Sequence, residues 1–87
     1  MQETYENRLK RMQMRSMRRG IKEMDIILNR YAQDNLAAMN SAELDHYDAL
    51  LNENDQDLYQ WVSGQAAAPA LFSELISDIA ASATGAK

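Results

Sequence analysis

The chain has 87 residues, 46% of them hydrophobic and 25% charged, which is globular composition in the size range of a single domain. It contains no cysteine, so disulfides, thiolate metal sites and a cysteine nucleophile are excluded. The formal net charge of −4 hides a split along the chain: residues 1–30 carry eight Lys and Arg against four acids, whereas residues 31–86 carry nine acids and no Lys or Arg, predicting an electrically two-faced molecule.

Helix is expected throughout, since only eight residues are β-branched while Ala and Leu supply twenty-two. A first helix over residues 3–16 places Tyr5, Leu9 and Met12 on one face, with Arg8, Arg11 and Arg15 beside it. After Arg18-Arg19-Gly20, a second helix carries Ile21, Met24, Ile27, Leu28 and Tyr31 at helical spacing, and residues 35–39 form a connection. Asn40 reads as an N-cap, with Glu43 completing a capping box for a third helix that presents Leu44, Tyr47, Leu50 and Leu51. Residues 52–54 break it. Asp55 and Asp57 suit the positive end of a short fourth helix holding Leu58, Trp61 and Val62, which Gly64 terminates. Pro69 is expected in the first turn of a fifth helix whose stripe is Phe72, Leu75, Ile76 and Ile79, with Leu71 adjoining. The expected fold is all-α, a small five-helix bundle forming one domain over residues 1–82, with Leu58 and Trp61 in the core and residues 83–87 as a frayed tail.

Little in the chain suggests catalysis. His46 is the one histidine and falls on the flank of the third helix, with no Ser or Cys paired to it and no second histidine for a metal. Glu53, Asp55 and Asp57 alternate like calcium ligands, but Leu58 and Gly64 stand where an EF-hand loop needs a glycine and a bidentate acid. The six methionines cluster toward the N-terminal half and are read mainly as core filler, although exposed Met makes an adaptable binding surface. The longest apolar run, residues 66–72, is too short to span a bilayer and contains Pro69, so no direct membrane insertion is expected. Residues 1–6 are polar and acidic, unlike a signal peptide or an organelle presequence, and on that ground a cytoplasmic location is expected.

The segment from Arg18 to Glu23 admits two readings. In one it is a helix junction, where Gly20 supplies backbone freedom and Arg19 pairs with Glu23 one turn on, a pair worth a few tenths of a kcal/mol at most. In the other, a residue without a side chain between charged neighbours lets a partner come close, with arginine offering planar donors to carboxylate or phosphate.

At these residues the chain resembles the small flavinylation factors that assist succinate dehydrogenase assembly. Arg19, Gly20 and Glu23 match that family's Arg-Gly-x-x-Glu signature, preceded by Arg18 and followed by Asp25 and Ile27-Leu28. Further on come Leu36, Asn40-x-x-Glu43 and Leu50-Leu51, and residues 55–61 match an Asp-x-Asp-Leu-aromatic-x-Trp segment. The similarity runs over roughly residues 7–64, with Met24 standing where Leu is usual and Gln56 where Pro is frequent. The resemblance implies a five-helix assembly chaperone of bacterial type and not an enzyme. It would bind the flavoprotein subunit of succinate dehydrogenase, and of fumarate reductase, as a monomer when free. It would promote covalent attachment of FAD to a client histidine while holding no cofactor of its own. By the same resemblance Arg19, Gly20 and Glu23 form the partner-binding centre; Arg18 and Lys22 join them from charge and location.

Two other classes compete. The seven basic side chains between residues 8 and 22 could follow a nucleic-acid backbone, but no aromatic interleaves them and the rest of the chain is acidic. An antitoxin-type protein-binding module is the other alternative.

Overall fold

The computed structural model describes residues 4–83, which form five α-helices and one short 3-10 turn. Helix α1 spans Tyr5–Arg15 and is capped by Thr4, whose Oγ1 accepts the Asn7 N–H at 3.1 Å. Helix α2 spans Lys22–Asn35, and the expected connection after it is a single 3-10 turn, Leu36–Ala38. Helix α3, Ser41–Leu51, opens on the expected capping box: Glu43 N–H donates to Asn40 Oδ1 at 2.8 Å, and Asn40 N–H donates to Glu43 Oε1 at 3.0 Å. Helix α4, Asp55–Ser63, takes Asn54 as its cap and ends at Gly64 in the left-handed conformation with φ 84°. Helix α5 spans Ser73–Ala83.

The core gathers one stripe from each helix. Met12, Met24, Leu28, Leu44, Leu50, Leu58 and Ile79 are sealed from solvent, and the Cα radius of gyration of 12.4 Å matches the size expected for a compact chain. Among the described residues no helix is long and apolar enough to cross a membrane.

Several local expectations are corrected. Trp61 is only partly buried: Leu58 takes the centre, and Trp61 lies at the rim, stacked on Phe72 with ring centroids 6.4 Å apart. An indole buried in a core this small would need a partner for its N–H, and the rim removes that demand. The buried aromatics are instead Tyr31, Tyr47 and Phe72, and the Tyr47 hydroxyl lies 2.6 Å from Ser16 Oγ. Pro69 does not enter α5. Its carbonyl accepts the Phe72 N–H at 2.9 Å in a turn, and the helical ladder begins at the Phe72 carbonyl, which accepts Ile76 N–H at 2.8 Å. That turn carries Leu71 out to 67% exposure. Of the tail expected at residues 83–87, Ala83 closes α5 and residues 84–87 lie outside the described residues.

The basic and acidic halves of the chain meet along a seam of ion pairs. Arg8 pairs with Asp45, Arg11 and Arg15 both pair with Asp48, and Arg19 pairs with Asp55, so four of the seven basic side chains of residues 8–22 lie against the acids of α3 and α4. Folding brings the two ends of the charge gradient together.

Candidate functional site

The segment of residues 16–21 joins α1 to α2, and its shape is set by two carboxylates from the helices it approaches. Asp25, in the first turn of α2, accepts the Arg18 N–H at 2.9 Å and holds Arg18 at φ 56°. Asp55, in the first turn of α4, accepts the Arg19 Nε–H on Oδ1 and the Gly20 N–H on Oδ2, both at 2.7 Å. The two remaining nitrogens of the Arg19 guanidinium donate to the Arg15 carbonyl at 2.8 Å and the Leu51 carbonyl at 3.1 Å. These are the last carbonyls of α1 and α3, which have no partner in their own helices and sit at the negative ends of the helix dipoles. One arginine thus ties three helix ends together, with its side chain only 11% exposed.

The five residues singled out from sequence therefore share one surface but face different ways. Arg18, Gly20, Lys22 and Glu23 are exposed, whereas the Arg19 side chain is turned inward. The side chains of Arg18, Lys22 and Glu23 make no hydrogen bond or ion pair to the described residues. Arg19 takes Asp55 as its ion partner, 36 residues on, in place of the neighbouring Glu23. Gly20 has no positive φ; a Cβ added there would lie 3.1 Å from Asp55 Oδ2, tighter than ordinary contact. Glycine at this position lets the backbone sit down on a carboxylate.

Around the motif lies a shallow depression of about 390 Å³ lined by Arg15, Met17, Arg18, Arg19, Gly20 and Asp55. Met17 is 38% exposed at its edge, and Ile26, one turn along α2 from Lys22 and Glu23, is 61% exposed. Met14 is also exposed, while Met12 and Met24 are buried, so the methionines divide between core and surface. Two contributors escaped the sequence reading. Asp55 was legible only as a helix start, although its segment and the Arg-Gly pair both carry the resemblance. Ile26 interrupts the polar face of α2, a signal visible in the helical spacing.

His46 lies half-buried on the flank of α3, its ring edge against Phe72 at a centroid distance of 5.4 Å. It lines a wider cleft between α3 and α5 that contains none of the motif residues. Among the described residues no group of three or more His, Asp or Glu is placed to hold a metal ion.

The chain matches, over residues 10–83, the family described as flavinator of succinate dehydrogenase. It is 44% identical over 61 residues to the succinate dehydrogenase assembly factor 2, mitochondrial, of Candida glabrata, covering 70% of this chain and 40% of that protein. The protein of the same name from Meyerozyma guilliermondii is 41% identical over 61 residues, covering 70% of this chain and 45% of its own length. That from Scheffersomyces stipitis is 44% identical over 61 residues, with 70% and 41% covered. The chain thus spans less than half the length of these curated relatives. Their names overturn the cytoplasmic expectation, since all are mitochondrial proteins. That expectation rested on the first six residues, which carry no information on compartment when a chain covers only part of its relatives. The match along nearly the whole chain includes both the Arg19-Gly20-x-x-Glu23 surface and the Asp55 segment that holds it, and the chain belongs to the succinate dehydrogenase flavinator family.

Proposed function

We propose that this chain is an assembly chaperone which docks on the flavoprotein subunit of succinate dehydrogenase, and on that of fumarate reductase where one is present, and promotes covalent attachment of FAD. In this reading it acts as a monomer, carries no cofactor and is not itself an enzyme. The bond forms between a client histidine and the client's flavin. The chaperone holds the client near the geometry in which the two meet, and such positioning lowers a barrier without any reacting group on the helper. The observation that carries the reading is the surface at residues 18–23: Arg18, Lys22 and Glu23 stand exposed, their side chains uncommitted to the described residues, around an exposed Gly20 whose backbone is seated on Asp55.

The test is reconstitution of the flavoprotein subunit with FAD, scoring covalent flavin by in-gel fluorescence. Glu23→Ala is the deciding variant, because Glu23 is exposed and removing its carboxylate from the first turn of α2 costs at most about 1 kcal/mol of helix-dipole stabilisation. Its melting temperature is expected within a few degrees of wild type and its flavinylation severalfold slower. Gly20→Arg, which adds bulk at the approach surface and presses on Asp55, is expected to abolish flavinylation. Wild-type rates from a folded Glu23→Ala protein and a folded Gly20→Arg protein would remove the motif surface from the function.

A further inference from the structure

We infer that Asp55 is the positioning residue of the motif, and that Arg19 acts inside the molecule as a strut and not as a contact to the partner. The inference rests on the docking reading above and divides its labour. The Asp55 carboxylate is used by both oxygens, one for the Arg19 side chain and one for the Gly20 backbone, each at 2.7 Å. Such charge-assisted bonds are the strong class, and both partners are shielded: the Arg19 side chain is 11% exposed and that of Asp55 20%. The other guanidinium nitrogens are taken by the ends of α1 and α3. To reach a partner, Arg19 would have to abandon an ion pair and two helix-end carbonyls at once. Its neighbours have no such commitments. Arg18, Lys22 and Glu23 are exposed, and the backbone that carries them is pinned at Arg18 by Asp25 and at Gly20 by Asp55. Arg19 and Asp55 therefore form one unit that fixes the outward set, and the Asp-x-Asp segment and the Arg-Gly pair, 36 residues apart, serve one surface.

The test is a double-mutant cycle in the full chain, with Kd for the flavoprotein subunit as readout. Arg19→Ala and Asp55→Ala are each expected to weaken binding about tenfold, and the double variant by the same factor as either alone. Glu23→Ala should impose its own additional loss in every background. Asp57→Ala, which removes a carboxylate from the same turn of α4 without touching Arg19, should bind within about twofold of wild type. A full further loss from Arg19→Ala in the Asp55→Ala background would place Arg19 on the partner and overturn the inference, as would wild-type binding by Asp55→Ala. A second measurement needs no partner and no alanine variant. The Gly20 amide proton of the free chain should resonate downfield and move upfield in Asp55→Asn; an unmoved resonance overturns the strut. If wild type fails to bind the flavoprotein subunit, the proposed function falls, while the Gly20 resonance still decides whether Asp55 holds the motif.

Discussion

Arg18 adopts a left-handed backbone, φ 56°, which costs an L-residue roughly 1 kcal/mol that glycine avoids, and no other non-glycine among the described residues does so. Its N–H bond to Asp25 at 2.9 Å holds the conformation, while its side chain is exposed. Arg18→Gly should therefore separate stability from function. Relief of strain and the greater entropy of an unfolded glycine nearly cancel, so the unfolding free energy is expected to stay within about 1 kcal/mol of wild type. Affinity for the flavoprotein subunit is expected to fall severalfold. Isothermal titration beside a thermal melt checks both, and unchanged affinity would take Arg18 out of the interface. The residues of this motif were legible in the sequence, but their division of labour was not. Sequence proximity favours Arg19 with Glu23, a solvent-facing pair of a few tenths of a kcal/mol, whereas Arg19 chooses Asp55 and two helix ends, partners visible only once α1, α3 and α4 converge.

Helix boundaries show where local chemistry suffices. The capping box at Asn40 and Glu43 and the left-handed stop at Gly64 depend on residues within one turn, and both stand as the spacing predicts. The start of α5 differs because the geometry at Pro69 is compatible with a turn as well as a helix. Seating Phe72 and Ile76 in the core favours the turn. Trp61 illustrates the same limit: helical spacing puts it on the stripe of Leu58, but only the packing of α5 decides which of the two is sealed. Gly64 offers a clean measurement at this scale, since a Cβ there would meet nothing within 4 Å while φ is +84°. Gly64→Ala should cost about 1 kcal/mol net, the backbone strain exceeding the stabilisation from a less flexible unfolded chain, read from chemical denaturation. A loss below a few tenths of a kcal/mol would mean that α4 ends without help from its glycine.

At the scale of the whole molecule, the arginines of α1 meet the aspartates of α3 around a core that holds two buried phenols. Tyr31 and Tyr47 lie with ring centroids 5.8 Å apart, and both are 2% exposed or less. Burial pushes the Tyr47 hydroxyl up to about 12, only partly opposed by its bond to Ser16 and the positive charge of Arg19. Burial also raises Tyr31, and the nearby Asp78 carboxylate, on which its hydroxyl donates at 3.3 Å, raises it further. In the unfolded chain both phenols ionise near their ordinary value of about 10. Above that pH the unfolded state has lost protons that the native state still holds, so it binds fewer protons and stability falls as pH rises. The Tyr47 contribution is fully present below about pH 10 and is lost between pH 10 and 12, while that of Tyr31, raised further, goes on falling beyond, each at roughly 1.4 kcal/mol per pH unit. Denaturant unfolding across this range should show that decline, and Tyr47→Phe should make it shallower. At neutral pH the same substitution removes the hydroxyl that lies 2.6 Å from Ser16 Oγ, but Ser16 keeps its bond to the Met12 carbonyl at 2.8 Å, so the loss should stay near 1 kcal/mol. Every other side chain is common to the two proteins, so the difference between the two slopes isolates Tyr47. Equal slopes would show that Tyr47 ionises as readily in the folded protein as in the unfolded chain, and the buried Ser16–Tyr47 contact between α1 and α3 would have to be reconsidered.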